Sequence, residues 1–217
     1  MAFSNMRLYK RPTWITACIP TYRCTKYLRG AVISLLNQTY RYLRIVVIND
    51  GDPESPWPSL QDILDPRLIR FDLYENRGPY FSLAVASAAS PDPYFLVQDA
   101  DDLSAPTRVE TLLHLLKRDS SNYAFSALAQ FHDGPDGKII IDQPLAAFPP
   151  DCNPSKHFTN RIFHHGLFQS TAIRQLGGYF GGIRFGYDTL LTSLLLLVGS
   201  VSWTPEHLYW RSEIASI

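Results

Sequence analysis

Three carboxylates crowd into four positions of the segment VQDADDLSAP, residues 97–106: Asp99, Asp101 and Asp102. The segment follows an apolar run and precedes a helix-like pattern, so the acids stand at the end of a buried strand. In open α/β sheets, ligands bind beyond the carboxyl ends of the strands. Hard divalent cations often bind through one or two carboxylates together with substrate phosphates. The spacing therefore predicts a minimal cation site; the alternative is that Asp102 or Ser104 simply caps the following helix.

Polar and aromatic groups end two other predicted strands at the same edge of the sheet. Asp50 ends YLRIVVIND, and Pro20, Thr21 and Tyr22 end the first strand. An aromatic ring such as Tyr22 beside a carboxylate such as Asp50 suits a nucleobase, which offers a flat face for stacking and an N–H group for hydrogen bonding. Asp50-Gly51 is also a common turn dipeptide, so a purely structural turn is the alternative at that position.

The scaffold that must position these groups is predicted to alternate strands and helices, in βαβ units around a mostly parallel sheet. The predicted strands are TWITACIP, YLRIVVIND, RLIRFDLY, YFLVQ, YAFSALAQF and KIII, with one strand after residue 160 and a final strand pair. The predicted helices are KYLRGAVISLLNQ, SLQDIL, YFSLAVASAAS, TRVETLLHLLKR, a short helix after residue 168 and a long apolar helix before residue 201. Residues 51–58 and 142–160 are predicted to be loops because they are rich in proline.

Composition excludes several classes of protein. The chain has 217 residues, of which 46% are hydrophobic, and this suits one large or two small globular domains. Lys plus Arg equals Asp plus Glu at 20 each, so no broad basic surface exists for nucleic acid. The three cysteines, Cys18, Cys24 and Cys152, lack metal-ligand spacing and are odd in number, which argues against zinc and against a disulfide framework. A reducing compartment fits this pattern best.

The sequence also predicts a cytoplasmic protein without a transmembrane segment. Its first residues lack the apolar core of a signal peptide. The most apolar stretch, LLTSLLLLVGSV, is shorter than the roughly 20 residues that span a bilayer, and it is predicted to be a buried helix. Peripheral attachment at the inner membrane face through Arg7, Lys10 and Arg11 is left open. The oligomeric state is left open as well.

The order of these motifs resembles that of the glycosyltransferases with a GT-A fold, particularly the inverting enzymes of family 2. ITACIPTYRCTKYLRGAVISLLNQTYRYLRIVVINDGD resembles the opening unit of that family. ENRGPYFSLAVASAASPDPYFLVQDADD resembles its middle, which leads to a DxD motif, and GLFQSTAIRQLGGYFGGIRFGYDTLL resembles its acceptor half. The resemblance covers most of the chain.

That resemblance implies an α/β fold of GT-A type, a Rossmann-like, mostly parallel sheet flanked by helices, with a smaller acceptor-side extension. It implies one domain over residues 1–217, with a nucleotide-sugar half at about 12–102 and an acceptor half at about 103–217. Donor-binding roles are implied for seven positions: Pro20, Thr21 and Tyr22 along the nucleotide pocket, Asp50 on the base, Arg77 near the base or the diphosphate, Asp99 on the ribose, and Asp101 on the metal. Asp101 would directly ligate Mn²⁺ or Mg²⁺.

The same resemblance aligns Asp188 with the catalytic base that takes the proton of the attacking hydroxyl. The alternative is that Asp188 is the N-cap of the apolar helix. Many relatives carry Glu where this chain has Tyr187, and they often carry His shortly after the final Arg, where this chain has Glu213 after Arg211. A third metal ligand is therefore in doubt.

Two adjacent histidines and a glycine-rich run complete the candidates. His164 and His165 would face opposite sides of a strand, so they cannot easily share one ion, and we expect one in the acceptor pocket and one in the core. The GGYFGG run at 177–182 is either a flexible loop near donor and acceptor or a plain connection between helices.

The resulting prediction is a metal-dependent, inverting glycosyltransferase that moves a sugar from a nucleotide-sugar, most plausibly a UDP-sugar, to an acceptor hydroxyl. The acceptor would be a glycan, a lipid-linked sugar or another hydroxyl compound, in bacterial polysaccharide or glycoconjugate biosynthesis. One alternative is a catalytically silent homologue that binds a nucleotide or glycan, or serves as a scaffold. A sugar nucleotidyltransferase is a further alternative, but PTYRCTKY lacks the glycine-rich loop of those enzymes.

Overall fold

The computed structural model describes residues 12–136, 138–144, 165–184 and 186–213. Strands and helices alternate along the first half, as the sequence predicts. The strands are β1 Ile15–Thr21, β2 Leu43–Asn49, β3 Leu68–Asp72, β4 Tyr94–Val97, β5 Leu103–Ser104, β6 Tyr123–Asp133, β7 Ile139–Pro144, β8 Gly166–Gln169 and β9 Val201–Ser212. The α-helices are α1 Thr25–Leu36, α2 Pro79–Ala89, α3 Arg108–Asp119, α4 Ser170–Gln175 and α5 Tyr187–Val198.

The strands of the described residues form one nine-stranded, mostly parallel sheet. Its order is β3-β2-β1-β4-β8-β6-β9-β5, and β7 pairs with β6. β1, β2, β3 and β4 are parallel neighbours; β8 runs antiparallel between β4 and β6, and β9 is parallel to β6. β1, β2, β3, β4, β6 and β9 therefore end at the same edge, which is where ligands bind in such sheets.

Helices cover both faces of this sheet and create two apolar cores. On one face, α1 buries Leu28, Val32 and Leu35 at helical spacing against β1 and β2. α3 joins that core through its own buried leucines. On the other face, α2, α4 and α5 pack against the sheet around Phe95 and Phe168. The expected α/β architecture, with a mostly parallel sheet flanked by helices, is confirmed.

Three local predictions differ from the structure. SLQDIL is not a regular helix, because a single 3-10 turn at Trp57–Leu60 replaces it. A short strand, β5, stands between the acid segment and α3, which the sequence did not indicate. The final strand pair is one strand, β9, whose register with β6 shifts past Pro205. Proline has no backbone N–H to donate to the neighbouring strand. The shift in register accommodates Pro205, so β9 continues past it.

The apolar helix α5 is only partly buried, contrary to the prediction. Tyr187 and Leu191 are buried, whereas Leu197 is 71% exposed. Among the described helices, none combines the length and hydropathy needed to cross a bilayer. The predicted loop at 142–160 begins inside β7, and its residues from 145 onward lie outside the described part of the chain, as does His164.

Candidate active site

A cleft of about 690 Å³ opens at the edge where β1, β2 and β4 end. The parallel register aligns Thr21 with Asn49, and β4 ends one residue before Gln98, so the three loops that follow these strands meet there. Six of the sequence-predicted residues line this cleft: Pro20, Thr21, Tyr22, Asp50, Asp99 and Asp101. The structure therefore brings together the strand-end groups that the sequence suggested would meet. Arg77 and Asp188 are not among the residues that line it.

Asp50 is buried at the floor of the cleft and holds the turn formed by residues 76–78. Its Oδ1 atom accepts from the backbone N–H of Arg77 at 3.0 Å, and its Oδ2 atom accepts from the N–H of Gly78 at 2.7 Å. The Asn76 amide also donates to Oδ2, at 3.0 Å. Gly51 has a φ of +67° and lies against the backbone of Glu75, where a Cβ atom would collide. Asp50-Gly51 is thus both a structural turn and part of the cleft.

The cation that lines the cleft is Arg184, which the sequence analysis did not select. Its Nη1 atom donates to Oδ1 of Asn76 at 2.8 Å, and its Nη2 atom donates to the carbonyl of Asn76 at 2.9 Å. The guanidinium of Arg77 instead lies over the ring of Phe81, 4.3 Å from its centroid, and 3.5 Å from Glu75. No local pattern marks Arg184, because its contacts lie 108 residues away along the chain.

Behind the cleft, Asp99 and Asp102 form a compact group with His165. Each of the three residues offers one possible ligand atom, and these atoms lie within 4.8 Å of one another. Nε2 of His165 is 2.6 Å from Oδ2 of Asp99, and the imidazole stacks on Tyr209 with ring centroids 4.4 Å apart. Asp102 is 2% exposed and accepts from the backbone N–H of Ser212 at 2.8 Å.

The crowded carboxylates disfavour their own ionisation. Burial, and then the charges of Asp99 and Asp101, raise the pKa of Asp102 to about 7. Burial and the charge of Asp99 also raise the pKa of Asp101. Burial alone would lower the pKa of His165, but the charge and hydrogen bond of Asp99 outweigh it and raise that pKa. Added positive charge is therefore favourable at this group.

Arg108 supplies a permanent charge beneath the acids, which sequence reasoning also missed. Its side chain is fully buried, and it donates to Gln98 and Ser104 at 2.8 and 2.7 Å and to the Val97 carbonyl at 2.9 Å. The guanidinium lies 4.6 Å from the ring centroid of Tyr209. Burial lowers the pKa of Arg108 to about 10.

The helix-capping alternative for the acid segment does not match this geometry. The N-cap of α3 is Thr107, whose own side chain makes no capping hydrogen bond, and the Val109 N–H in the first turn donates to Oε1 of Gln38 at 3.0 Å. Ser104 donates its hydroxyl to Gln98 and accepts from Arg108, while Asp102 accepts from Ser212. The side-chain oxygens of both residues are thus engaged elsewhere.

Asp188 lies in the first turn of α5, next to the wall of the cleft. The N-cap of α5 is Gly186 with φ +79°, so Asp188 is not the capping residue. Tyr80, which lines the cleft, has its pKa raised to about 12 by burial and then by the charge and hydrogen bond of Asp188. Tyr187 is buried and donates its hydroxyl to the Gly178 carbonyl at 2.9 Å. Asp188 therefore contacts the lining of the cleft through Tyr80.

Glu213 belongs to a different group from the acids of the cleft. It gathers with His132 and Asp142, whose Nδ1 and Oδ2 atoms are 2.6 Å apart. Ser212, the preceding residue, is the one that contacts Asp102. The carboxylate of Glu213 therefore groups with His132 and Asp142 and not with Asp99 and Asp102.

Comparison with known proteins gives consistent matches. Residues 16–177 match the family model described as Glycosyl transferase family 2. A protein of Haemophilus influenzae named as an uncharacterized glycosyltransferase is 30% identical over 158 residues, which are 72% of this chain and 46% of that relative. The chain spans about half or less of the length of the first curated relatives it matches.

Solved structures share the fold at low sequence identity. TarS from S. aureus, residues 1–349 in complex with UDP-GlcNAc, superimposes with a TM-score of 0.78 at 16% identity, covering 94% of this chain and 60% of that TarS chain. The mannosyltransferase PcManGT from Pyrobaculum calidifontis, in complex with GDP-Man and Mn²⁺, superimposes with a TM-score of 0.66 at 15% identity. That match covers 92% of this chain and 56% of PcManGT.

Proposed function

The chain belongs to glycosyl transferase family 2, and from this premise we propose that it is an inverting glycosyltransferase that uses a nucleotide-sugar and a divalent cation. The donor is a UDP-sugar, and the acceptor is a hydroxyl group of a glycan, a lipid-linked sugar or another compound. The observation that carries the proposal is the cleft that unites Tyr22, Asp50, Asp99 and Asp101, with Asp188 beside its wall.

The nucleotide end of the cleft has the chemistry that a nucleobase needs. Tyr22 is 38% exposed and offers a ring for stacking, and Thr21 and Pro20 continue the same wall. Asp50 fixes the turn at 76–78, so the backbone at this end is already organised before a ligand arrives. TarS with UDP-GlcNAc and PcManGT with GDP-Man show that this fold holds nucleotide-sugars in other proteins.

The donor set fits a divalent cation. Asp99, Asp102 and His165 present ligand atoms within 4.8 Å of one another, and Asp101 lines the adjoining cleft. The raised pKa values of Asp101 and Asp102 mean that a cation would relieve their mutual repulsion. Carboxylate oxygens suit Mg²⁺ and Mn²⁺. When bound, such a cation stabilises the negative charge that develops on a departing diphosphate.

In the transfer step, the acceptor oxygen attacks the anomeric carbon while the bond from that carbon to the diphosphate oxygen breaks. Asp188 takes the proton of the acceptor hydroxyl as the new bond between the acceptor oxygen and the anomeric carbon forms. The nucleoside diphosphate leaves with the electron pair of the broken bond. Because one direct displacement occurs, the anomeric configuration of the product is inverted relative to the donor.

A donor panel tests this function. The protein is incubated with UDP-sugars and GDP-sugars in the presence of Mn²⁺, and release of nucleoside diphosphate is measured with and without candidate acceptors. Cation-dependent release supports the proposal, and product NMR then gives the anomeric configuration. Tight binding without release would favour the alternative of a catalytically silent homologue. Absence of both binding and release would overturn the proposal.

A further inference from the structure

Arg184 brings positive charge to a cleft that is otherwise acidic. Among the described residues that line the cleft, Arg184 is the one cation, and it faces three acids: Asp50, Asp99 and Asp101. A nucleoside diphosphate carries negative charge, which these acids repel. The cleft therefore needs positive charge in addition to its aromatic and carboxylate groups if it is to hold such a ligand.

The guanidinium of Arg184 is held in place by neutral partners. Both of its hydrogen bonds go to Asn76, one to the side-chain amide oxygen and one to the backbone carbonyl. Within the described part of the chain, no carboxylate lies within ion-pair distance of it. Its charge is thus oriented without being neutralised, and an arginine carries five N–H donors, more than these two bonds use.

We propose that Arg184 binds the diphosphate of the donor. This inference rests on the proposed function, because it names the residue that would receive the anionic part of a nucleotide-sugar. Arginine suits the role, since its planar fork matches the oxygens of phosphate groups. Arg77, for which the family resemblance implied a place near the base or the diphosphate, stacks on Phe81 and lies beside Glu75 instead.

The hydrogen bonds between Arg184 and Asn76 also link the donor end of the cleft to the helix that carries Asp188, the predicted base. Asn76 donates to Asp50 while it accepts from Arg184, so Asp50, Asn76 and Arg184 form a continuous chain of hydrogen bonds. Arg184 lies two residues before Gly186, the N-cap of α5, and α5 carries Asp188 in its first turn. A diphosphate bound at Arg184 would therefore hold the beginning of this helix close to the donor.

The test compares ligands that differ only in the diphosphate. Calorimetric titrations in the presence of Mn²⁺ measure UDP against uridine, and GDP against guanosine, for the wild type and for Arg184→Gln. A charge-assisted contact to a phosphate predicts at least about a tenfold loss of affinity for the diphosphate, with nucleoside affinity kept within about twofold. Arg184→Lys keeps the positive charge but lacks the planar guanidinium. Its affinity for the diphosphate should therefore lie between those of the wild type and Arg184→Gln.

Arg41→Gln is the matched control, since Arg41 is also exposed and donates to one carbonyl, at the far end of α1. It should leave both affinities unchanged. Equal losses for diphosphate and nucleoside in Arg184→Gln, or no loss at all, would overturn the inference while leaving the proposed function intact. A selective loss of diphosphate affinity in Arg77→Gln but not in Arg184→Gln would overturn the inference and assign the contact to Arg77. A wild-type protein that binds none of the four ligands would overturn the inference and the proposed function together.

Discussion

Nε2 of His165 lies 2.6 Å from Oδ2 of Asp99, although 66 residues separate the two along the chain. The contact joins the residue before β8 to the loop after β4. Tyr209 fixes both partners, because its ring stacks on the imidazole and its hydroxyl accepts from the backbone N–H of Asp99. The charge states of His165 and Asp99 therefore bear on both stability and ligand binding.

Stability of the metal-free protein should fall as the pH rises through neutrality. The pKa of Asp102 is raised to about 7, so the folded state binds more protons than the unfolded state between about pH 4 and pH 7. The raised pKa of His165 acts in the same direction, because its stabilising charge is lost above that pKa. We expect a loss of about 2 kcal/mol between pH 5 and pH 8, or roughly 4–8 °C in Tm.

Differential scanning fluorimetry across that pH range measures the effect. Asp102→Asn should flatten the profile, because asparagine does not titrate. Addition of Mn²⁺ should restore more stability at pH 8 than at pH 5, since the cation competes with protons for the same carboxylates. A wild-type Tm that rises between pH 5 and pH 8 would contradict the prediction.

Asp101→Asn should remove the dependence of donor binding on a divalent cation. Asparagine keeps the size of the side chain but loses the charge that attracts the ion. Titration of UDP with and without Mn²⁺ should show a large difference in affinity for the wild type and almost none for the variant. Asp133→Asn, in the separate pocket that includes Glu213, is the control and should retain the difference. Cation dependence that survives in Asp101→Asn would assign the ion to the Asp99, Asp102 and His165 group alone.

Asp188→Asn should leave donor binding intact and lower the rate of transfer by about 10²- to 10⁴-fold, which is the usual contribution of a general base. The reason is that Asp188 is not among the residues that line the cleft and contacts that lining through Tyr80. Transfer rates and UDP affinity are measured on the same preparation. Transfer that persists at the wild-type rate would show that another group accepts the proton.

Asp50→Asn should destabilise the protein by about 2–3 kcal/mol and weaken nucleotide binding, because an amide nitrogen cannot accept from the N–H groups of residues 76–78. Chemical denaturation measures the free energy of unfolding. Asp62→Asn breaks the exposed ion pair with Arg29 and serves as the comparison; it should cost much less than Asp50→Asn, because solvent screens an exposed pair. Equal effects of the two substitutions would rule out a supporting role for Asp50.

Gly51→Ala should be much more harmful than Gly177→Ala. Both glycines have positive φ, at +67° and +86°, so alanine strains the backbone at each site by about 1–2 kcal/mol. Only at Gly51 would the new Cβ atom also collide with the backbone of Glu75; nothing lies within 4 Å at Gly177. The difference in unfolding free energy between the two variants isolates the collision. Similar losses would mean that the loop at Glu75 moves aside freely.

The sequence predicted the cleft because its residues follow strands, and parallel strands end at one edge. Asp50 and Asp99 could be placed by that rule alone. Arg184 could not, because its contact with Asn76 joins residues that are 108 positions apart along the chain. The positions of Arg108 and Tyr209 were missed for the same reason: a guanidinium stacked on a ring in the core leaves no periodic signal. The single strand β9 was missed because Pro205 resembles a strand terminator.

Asp50 has a broader implication for how base selectivity could change in this scaffold. Each of its oxygens already accepts a hydrogen bond from residues 76–78, so the carboxylate shapes one boundary of the pocket through that turn. Substitutions at Asn76 would alter the boundary while the carboxylate and its two backbone bonds stay unchanged. Evolution or engineering could thereby exchange one nucleotide preference for another without dismantling the strand that carries Asp50.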